Sequence, residues 1–223
     1  MKIAIVGSGR IGGLVGKLWA QAGHHVRFSS RHSDGLDTLV AESGPNASRS
    51  SIKEALAFGE VVLISIPYES LPAFGEQYGS QLSGKVVMET GNPYPQRDGD
   101  VAKRVLDSGL GTGHWSARWL PGTRLVRAFN SVWDQTLARE AHRTPPRVCV
   151  PLAADDVEAA ETVAGLVRDA GFDPVLVGLL SRAREFDVGT PVYATNMSGP
   201  EVRQALRLPR AGTASQVNVR VEN

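Results

Sequence analysis

Three glycines near the start of the chain have the spacing of a phosphate-binding loop. Residues 7–12 read Gly7-Ser8-Gly9-Arg10-Ile11-Gly12, between a short apolar stretch and a segment whose apolar residues recur at helical spacing. In a strand–loop–helix unit, Gly7 permits the tight turn, Gly9 lets the backbone approach a pyrophosphate, and Gly12 lets the helix pack on the strand. We therefore expect residues 7–12 to bind the phosphates of a dinucleotide at the N-terminus of the following helix.

The residues that end the second predicted strand indicate which dinucleotide is bound. A carboxylate commonly stands here and binds the ribose of NAD, whereas this chain has Ser29, Ser30, Arg31 and His32. A guanidinium can bind phosphate oxygens through two hydrogen bonds, and a hydroxyl can donate without adding negative charge. Ser29 or Ser30 and Arg31 are therefore predicted to bind a 2′-phosphate, with His32 and Arg10 as helpers, which favours NADP(H) over NAD(H). The alternative is a solvated polar turn.

Few side chains in the sequence are candidates for an acid or base beside the nicotinamide. Asn130 could bind the carboxamide or a substrate, or it could cap the helix predicted to follow it. Tyr68 follows a buried strand and could stack on the cofactor or lie on the surface. Tyr193 and Asp187, in the C-terminal segment, are candidates only by elimination. The histidines show no metal-ligand spacing, so no metal site is expected.

Strands and helices alternate along the chain, which is typical of an α/β protein with a doubly wound parallel sheet. The predicted strands are Lys2–Val6, His25–Ser29, Asn46–Arg49, Glu60–Pro67, Lys85–Glu89, Arg124–Phe129, Arg147–Leu152 and Pro174–Val177. The predicted helices are Arg10–Ala22, Ser51–Phe58, Val101–Leu106, Ser116–Leu120, Asn130–His142 and Asp155–Ala170, the last with Asp155 as N-cap. The glycine-rich run 109–113 is expected to end the helix at Val101–Leu106. Ligands in such sheets bind beyond the carboxyl ends of the strands, which directs attention to loops that include Asn92 and Asn130.

The composition is that of an ordinary globular protein and excludes several classes of function. The 223 residues are 42% apolar and carry a formal net charge of +1, which argues against a general electrostatic attraction to nucleic acid. No apolar stretch approaches the ~18 residues of a membrane span, and the N-terminus has no signal-peptide pattern. We therefore expect a cytoplasmic protein. Its single cysteine, Cys149, excludes an internal disulfide and is expected to be a small buried apolar residue.

Four motifs in order resemble the NADP oxidoreductases that use the deazaflavin coenzyme F-420, and related bacterial dinucleotide-binding oxidoreductases. They read G-S-G-R-I-G-G, S-S-R, S-I-P-Y and R-A-F-N, and the resemblance covers about residues 1–185. It implies that Ser30 and Arg31 bind the 2′-phosphate and that Ile66 and Pro67 border the cofactor. It also implies that the segment Asn130–Val132 forms the loop beside the nicotinamide ring, so that Asn130 and Val132 belong to the cofactor site. In that family hydride passes directly between nicotinamide and deazaflavin, with no obligatory side-chain acid or base.

The C-terminal residues depart from that family. Users of coenzyme F-420 in it end in a hydrophobic segment with glycines that helps to form the deazaflavin pocket, whereas residues 187–206 here are followed by a polar tail. We expect an NADP-binding Rossmann domain over residues 1–180 and an extension over residues 181–223, on the substrate side or at a dimer contact. The alternating residues 217–223 could add as a strand to a partner's sheet edge, or they could be a frayed end.

Together these features predict an NADP(H)-dependent oxidoreductase. The resemblance implies hydride transfer between nicotinamide and a small conjugated acceptor, with a deazaflavin or a flavin as the first candidate. An NADPH-dependent reductase of a carbonyl or imine is a second hypothesis, and a non-catalytic NADP(H)-binding sensor is a third. A homodimer is expected because members of the resembling family often dimerise.

Overall fold

One sheet of eight strands runs through the described part of the chain, which is residues 1–31 and 35–209 of the computed structural model. The strands are β1 Lys2–Val6, β2 His25–Ser29, β3 Ala47–Arg49, β4 Val61–Ile64, β5 Val86–Glu89, β6 Arg124–Arg127, β7 Cys149–Ala154 and β8 Asp173–Gly178. Their order is β3-β2-β1-β4-β5-β6-β7-β8. β1 lies between β2 and β4, so the chain first builds the sheet on the β2 side of β1 and then crosses to the β4 side. A crevice opens where these two directions diverge, between the carboxyl ends of β1 and β4.

The sheet is mixed, and the prediction of a wholly parallel sheet is wrong for β7 and β8, which run opposite to the other six strands. Neighbouring strands pair in parallel except β6 and β7, which are antiparallel. A strand that pairs antiparallel needs no helical crossover of the kind that a parallel neighbour requires. The α/β Rossmann arrangement predicted from the sequence is otherwise confirmed.

Helices cover both faces of this sheet. They are α1 Arg10–Gln21, α2 Leu36–Ser43, α3 Ile52–Phe58, α4 Leu71–Leu82, α5 Pro95–Asp107, α6 Gly111–Trp119, α7 Asp134–Glu140, α8 Val157–Asp169 and α9 Gly199–Ala205, with 3-10 segments at Tyr68–Ser70 and Leu180–Phe186. The buried residues of α1, α7 and α8 form one hydrophobic core, and those of α3 and α4 form a second. None of the described helices is long and apolar enough to cross a bilayer.

The predicted apolar stripe of α1 is buried against the sheet and against α8. Val15 and Trp19 are fully buried, and the indole Nε1 of Trp19 donates to the carbonyl oxygen of Leu166 at 2.7 Å. The Trp19 ring also packs edge-on against Phe129, with ring centroids 5.9 Å apart. Because Phe129 follows β6, this packing fixes the glycine-loop helix relative to the carboxyl end of a strand on the other side of the crevice.

The glycine-rich run 109–113 follows the end of α5 at Asp107, so the predicted break of that helix is confirmed. Helix α6 begins at Gly111, within that run. A Cβ atom at Gly113 would overlap the backbone carbonyl of Leu180 in the following 3-10 segment. Glycine at position 113 is therefore required for the close packing of two backbones.

Two further helix starts differ from those predicted. Helix α7 begins at Asp134, so Asn130 does not cap it. Helix α8 is capped by Asp156, whose carboxylate accepts the N–H of Ala159 at 2.9 Å, whereas Asp155 accepts the N–H of Leu180 at 2.9 Å. Helices α2 and α4 were not predicted. The hydrophobic pattern of α2 is weak, because only Leu36 and Ser43 in it are buried.

The residues after β8, up to 209, pack on the outer end of the sheet. Phe186, Val192 and Val202 join buried residues of β7 and β8 in a third hydrophobic cluster. Cys149 lies in this cluster, and burial raises the pKa of its thiol, as does the nearby Asp173. The prediction of a small buried apolar residue at this position is confirmed. Residues 217–223 lie outside the described residues.

Candidate functional site

The glycine loop joins β1 to α1 in a conformation that depends on two of its glycines. Gly7 has φ +90°, in the left-handed region, and a Cβ there would also overlap the carbonyl of Ser65 after β4. A Cβ at Gly12 would overlap the carbonyl of Gly7. The turn, the helix and the end of β4 can therefore approach one another only without these side chains. The first and third glycines act as the sequence pattern predicts.

The middle glycine leaves an open approach to the start of α1. A Cβ built on Gly9 meets nothing within 4 Å, and its φ of −80° is accessible to any residue. The first turn of α1 contains no acidic residue, and no side chain among the described residues caps the helix. The first N–H groups of α1 thus present a partial positive charge to a ligand. These features fit a bound pyrophosphate.

In the polar turn after β2, Ser29 has a structural role, whereas Ser30 and Arg31 face the cleft. Ser29 is fully buried, and its hydroxyl donates to the carbonyl of Ile5 at 2.7 Å. Its predicted part in phosphate binding is therefore wrong for the side chain, because that hydroxyl is used within the sheet. Ser30 and Arg31 line a cavity, and Arg31 is exposed. The predicted helper His32 lies outside the described residues.

Two cavities meet at the glycine loop. The first, which we call the turn cavity, has a volume of about 690 Å³ and extends from Gly7–Gly9 past Ser30 and Arg31. The second, which we call the inner cavity, has a volume of about 340 Å³ and extends from Gly9 towards β5 and β6. Both are lined by the same four residues at their junction, Gly9, Ser65, Ile66 and Pro67. A dinucleotide-sized cleft thus runs across the carboxyl ends of the strands.

The inner cavity brings together residues predicted from distant parts of the sequence. The predicted residues that line it are Gly9, Arg10, Ile11, Ile66, Pro67, Asn92, Asn130, Val132 and Tyr193. Sequence reasoning missed several others, including Thr90, Gly91, Tyr94, Arg97, Phe129, Trp133 and Asp134. Most of these belong to the loops after β5 and β6, where the sequence had already indicated a site. Their side chains carried no motif that singled them out.

Tyr68 does not line either cavity. Its side chain is fully buried, and its hydroxyl donates to the carbonyl of Thr112 at 3.1 Å and is hydrogen-bonded to Ser116 Oγ at 3.0 Å. The two interpretations offered from the sequence, a ring stacked on the cofactor and a surface aromatic, are both wrong. A phenol that turns inward into α6 gives no sequence signal that distinguishes it from these.

Asn130 and Ser131 place unsatisfied polar atoms in the wall of the inner cavity. Asn130 is 4% exposed, and its Nδ2 donates to Asn92 Oδ1 and to the carbonyl of Phe186, each at 3.3 Å. Its Oδ1 and the hydroxyl of Ser131 are buried without a hydrogen-bond partner among the described residues. Such atoms are costly unless a ligand or water satisfies them. A primary carboxamide, such as that of nicotinamide, offers both the donors and the acceptor that they require.

The loop that carries these residues begins with a strained backbone. Phe129 lies two residues after the end of β6 and has φ +60°, which costs about 1–3 kcal/mol for a residue with a side chain. Its ring is buried against Trp19, so packing holds the conformation in place. The turn at Phe129 directs Asn130–Val132 across the end of the sheet and into the inner cavity.

A buried ion pair supports the floor of the inner cavity. Glu89 at the end of β5 and Arg127 at the end of β6 are 1% and 0% exposed, and Arg127 Nη1 donates to the Glu89 carboxylate. Arg127 Nη2 also donates to the carbonyl of Gly91 at 2.8 Å, and Ser116 Oγ donates to Glu89 at 2.8 Å. Burial raises the pKa of Glu89, which Arg127 opposes. The pair fixes the loop at Gly91, and sequence reasoning missed it.

Two tyrosine hydroxyls and an arginine stand at the far wall. The hydroxyls of Tyr94 and Tyr193 are hydrogen-bonded to each other, and Asn92 Nδ2 donates to the carbonyl of Asn130 at 2.7 Å. Arg97 lies over the Tyr94 ring, 5.0 Å from its centroid. At the opposite side, Arg10 Nε lies 3.8 Å from Asp134 Oδ2. Within residues 1–31 and 35–209, no group of three potential metal ligands is present.

The chain resembles known proteins over the part that builds this site. Residues 2–93, which include the glycine loop and the Ser-Arg turn, match the model of the family described as NADP oxidoreductase, coenzyme F420-dependent. The match covers less than half of the chain. Over these residues the sequence-based recognition is confirmed.

Individual relatives extend the similarity. The chain is 28% identical over 142 residues to the F420-dependent NADP reductase of Methanocaldococcus jannaschii, covering 63% of each protein. It is 27% identical over 196 residues to metalloreductase STEAP3 of Rattus norvegicus, covering 83% of this chain. The chain spans 63% and 36% of the lengths of these two relatives. The crystal structure of protein SMa0349 from Sinorhizobium meliloti is 25% identical, with a TM-score of 0.77 over 89% of this chain and 95% of that one.

Breaking the buried ion pair should destabilise the fold strongly. We expect Arg127→Met to lower the free energy of unfolding by about 3–5 kcal/mol, because it leaves the Glu89 carboxylate buried without its cation. The double variant Glu89→Met/Arg127→Met should lose less than the single variant. Urea denaturation measures both, with Glu76→Gln on the exposed face of α4 as a control that should be unchanged. Equal losses in the single variant and the control would contradict this account.

Proposed function

We propose that the chain is an NADP(H)-dependent oxidoreductase that transfers hydride between the nicotinamide ring and a small conjugated acceptor. The observation that carries the proposal is the continuity of the two cavities across the glycine loop. One end is lined by a serine and an arginine suited to a phosphate, and the other by polar groups suited to a carboxamide. The bound nicotinamide would supply the hydride chemistry.

The residues of the chain would hold each part of that cofactor. The N–H groups at the start of α1 would bind the pyrophosphate, and Ser30 with Arg31 would bind the 2′-phosphate. Ile66 and Val132 would border the nicotinamide ring from two loops, and Asn130 would bind its carboxamide. All of these residues line the two cavities. The matched relatives are reductases by name, and one of them is named as an NADP reductase, which supports the same cofactor.

The hydride acceptor is the finer part of the proposal. The match of residues 2–93 to a family described by coenzyme F420 supports a deazaflavin, or a flavin, as the first candidate. A carbonyl or imine substrate is the second, and the hydroxyls of Tyr94 and Tyr193 in the inner cavity favour it because such a substrate needs a proton. The third candidate, a non-catalytic sensor, would bind NADP(H) without oxidising it.

The proposal also includes the location and the assembly of the protein. We infer a cytoplasmic protein whose partner is a small molecule, assembled as a homodimer. The division into a domain over residues 1–180 and an extension over residues 181–223 remains a proposal too. Size-exclusion chromatography with light scattering measures the assembly directly.

Removal of the Arg31 guanidinium should weaken the binding of NADPH and not that of NADH. We expect Arg31→Ala to reduce NADPH affinity by about 10- to 100-fold, the value of a charged hydrogen-bonded contact, and to leave NADH affinity unchanged. Calorimetric titration of both nucleotides measures this. Arg118→Ala, which removes an exposed arginine from α6, is the matched control and should bind both as the wild type does. Unchanged NADPH affinity in Arg31→Ala would place Arg31 in a solvated turn.

A methyl group at Gly9 should block the ligand without harming the fold. The Cβ of Gly9→Ala would meet no protein atom but would stand where the pyrophosphate approaches the backbone. We expect the melting temperature of Gly9→Ala to match that of wild type while NADPH binding falls at least about tenfold. Gly165→Ala, at an equally open position in α8, should change neither binding nor the fold adversely. Wild-type NADPH affinity in Gly9→Ala would show that the loop does not hold phosphate.

A further inference from the structure

The hydroxyl pair in the inner cavity joins two segments far apart in the sequence. Tyr94 is the N-cap of α5, and Tyr193 comes from the segment after β8, where Ala194 donates its N–H to the carbonyl of Ser131 at 2.8 Å. Both rings line the cavity that also contains Ile66 and Val132. The Tyr193 hydroxyl is therefore held by Tyr94 in the same space as the residues proposed to border the nicotinamide.

The chemistry of hydride acceptance requires a group of this kind. When a conjugated carbonyl or imine carbon accepts hydride, the π electrons move to its oxygen or nitrogen, which must gain a proton. We propose that Tyr193 is the residue that donates this proton, with Tyr94 as a positioning residue. The substrate is then a small conjugated carbonyl or imine that carries an acidic group. This inference rests on the proposed function with its second acceptor candidate, a carbonyl or imine, and names the substrate class.

The atoms and electrons of this reduction balance. The substrate carbon gains a C–H bond and two electrons from the reduced nicotinamide, and the C=O or C=N π bond breaks. Its heteroatom gains a proton as the O–H bond of Tyr193 breaks, which leaves a phenolate hydrogen-bonded to Tyr94. Solvent restores the proton to Tyr193. The net reaction consumes NADPH, one proton and the substrate, and forms NADP⁺ and the reduced product.

The surroundings keep the Tyr193 phenol protonated. Burial raises its pKa, and the hydrogen bond with Tyr94 and the charge of Asp187 act in the same direction. The Arg97 guanidinium opposes this rise. Arg10 and Asp134 also line the cavity, as a pair of opposite charge. A neutral phenol is the form that can donate.

Arg97 supplies the reason for the acidic group on the substrate. Asp98, whose side chain is fully buried, binds Arg97 Nε and Nη2 at 2.8 Å each, and Arg97 Nη2 also donates to the carbonyl of Asn92 at 2.8 Å. The Arg97 side chain is 45% exposed and lines the cavity. The contacts with Asp98 and Asn92 do not use Nη1, which is therefore available at the cavity wall. A guanidinium oriented in this way is suited to a carboxylate or phosphate.

The first experiment follows NADPH oxidation by a fixed set of acceptors. The set contains coenzyme F-420, FMN, and a panel of small keto and cyclic-imine carboxylates with their methyl esters. We expect Tyr193→Phe to lower kcat by about 10²- to 10⁴-fold and to leave NADPH affinity unchanged. In wild type kcat should not fall through loss of the Tyr193 proton up to pH 10, because burial raises the pKa of that phenol. Tyr68→Phe, which removes a buried hydroxyl outside the cavity, should keep both kcat and the pH profile.

A second measurement does not depend on turnover. The tyrosinate absorbance of wild type minus that of Tyr193→Phe, followed against pH in the protein alone, should show no phenolate up to pH 10, the ordinary value for tyrosine. A phenolate present at pH 8 would overturn the assignment, because it could not donate a proton. Melting temperatures of the variants separate loss of chemistry from loss of the fold.

The role of Arg97 has its own readout. Arg97→Ala should raise KM for the carboxylate substrate and leave KM for its methyl ester unchanged, whereas Tyr193→Phe should act on kcat for both. If wild type reduces the acids and their methyl esters with equal KM, the inference that the substrate carries an acidic group is wrong. Reduction of F-420 or FMN alone would overturn the small-substrate class.

The remaining outcomes are equally decisive. An unchanged kcat in Tyr193→Phe would overturn the proton donor. NADPH oxidation by no member of the set, from a protein that binds NADPH tightly, would overturn the substrate class and leave the cofactor assignment standing. Failure of wild type to bind NADPH would instead refute the proposed function, and this inference with it.

Discussion

The cavity floor depends on the buried ion pair between Glu89 and Arg127. Two full charges without solvent are costly unless each is satisfied by several partners, and here the backbone of Gly91, the hydroxyl of Ser116 and the opposite charge all contribute. The network ties the ends of β5 and β6 to α6. It thereby fixes the two loops that line the inner cavity on one side. Much of the site geometry follows from that constraint.

The second determinant is the close approach of backbones around the glycine loop. Gly7 and Gly12 allow β1, α1 and the end of β4 to meet, and Trp19 anchors α1 to α8 behind them. The crevice therefore opens at the point where the strand order diverges from β1. The same arrangement that forms the hydrophobic cores on both faces also places the positive end of α1 in this crevice.

The fold and the glycine-loop end of the site could be predicted because their signals are local. Strand spacing, three glycines and a Ser-Arg turn each occupy a short stretch of sequence, and both Ser30 and Arg31 lie where the pattern indicated. The inner cavity could be predicted only as a set of loops. Tyr94 and Tyr193 are 99 residues apart, and their contact depends on how the segment after β8 packs. The inward turn of Tyr68 and the antiparallel β7 likewise depend on tertiary packing, which no local pattern encodes.

The central claim is that one NADP(H) molecule lies across both cavities. The most direct test is a crystal structure of the protein with NADP⁺. We expect the 2′-phosphate within hydrogen-bond distance of the Arg31 guanidinium, and the nicotinamide carboxamide bound to Asn130 in the inner cavity. A nucleotide whose 2′-phosphate points to solvent, or whose nicotinamide lies outside the inner cavity, would contradict the account.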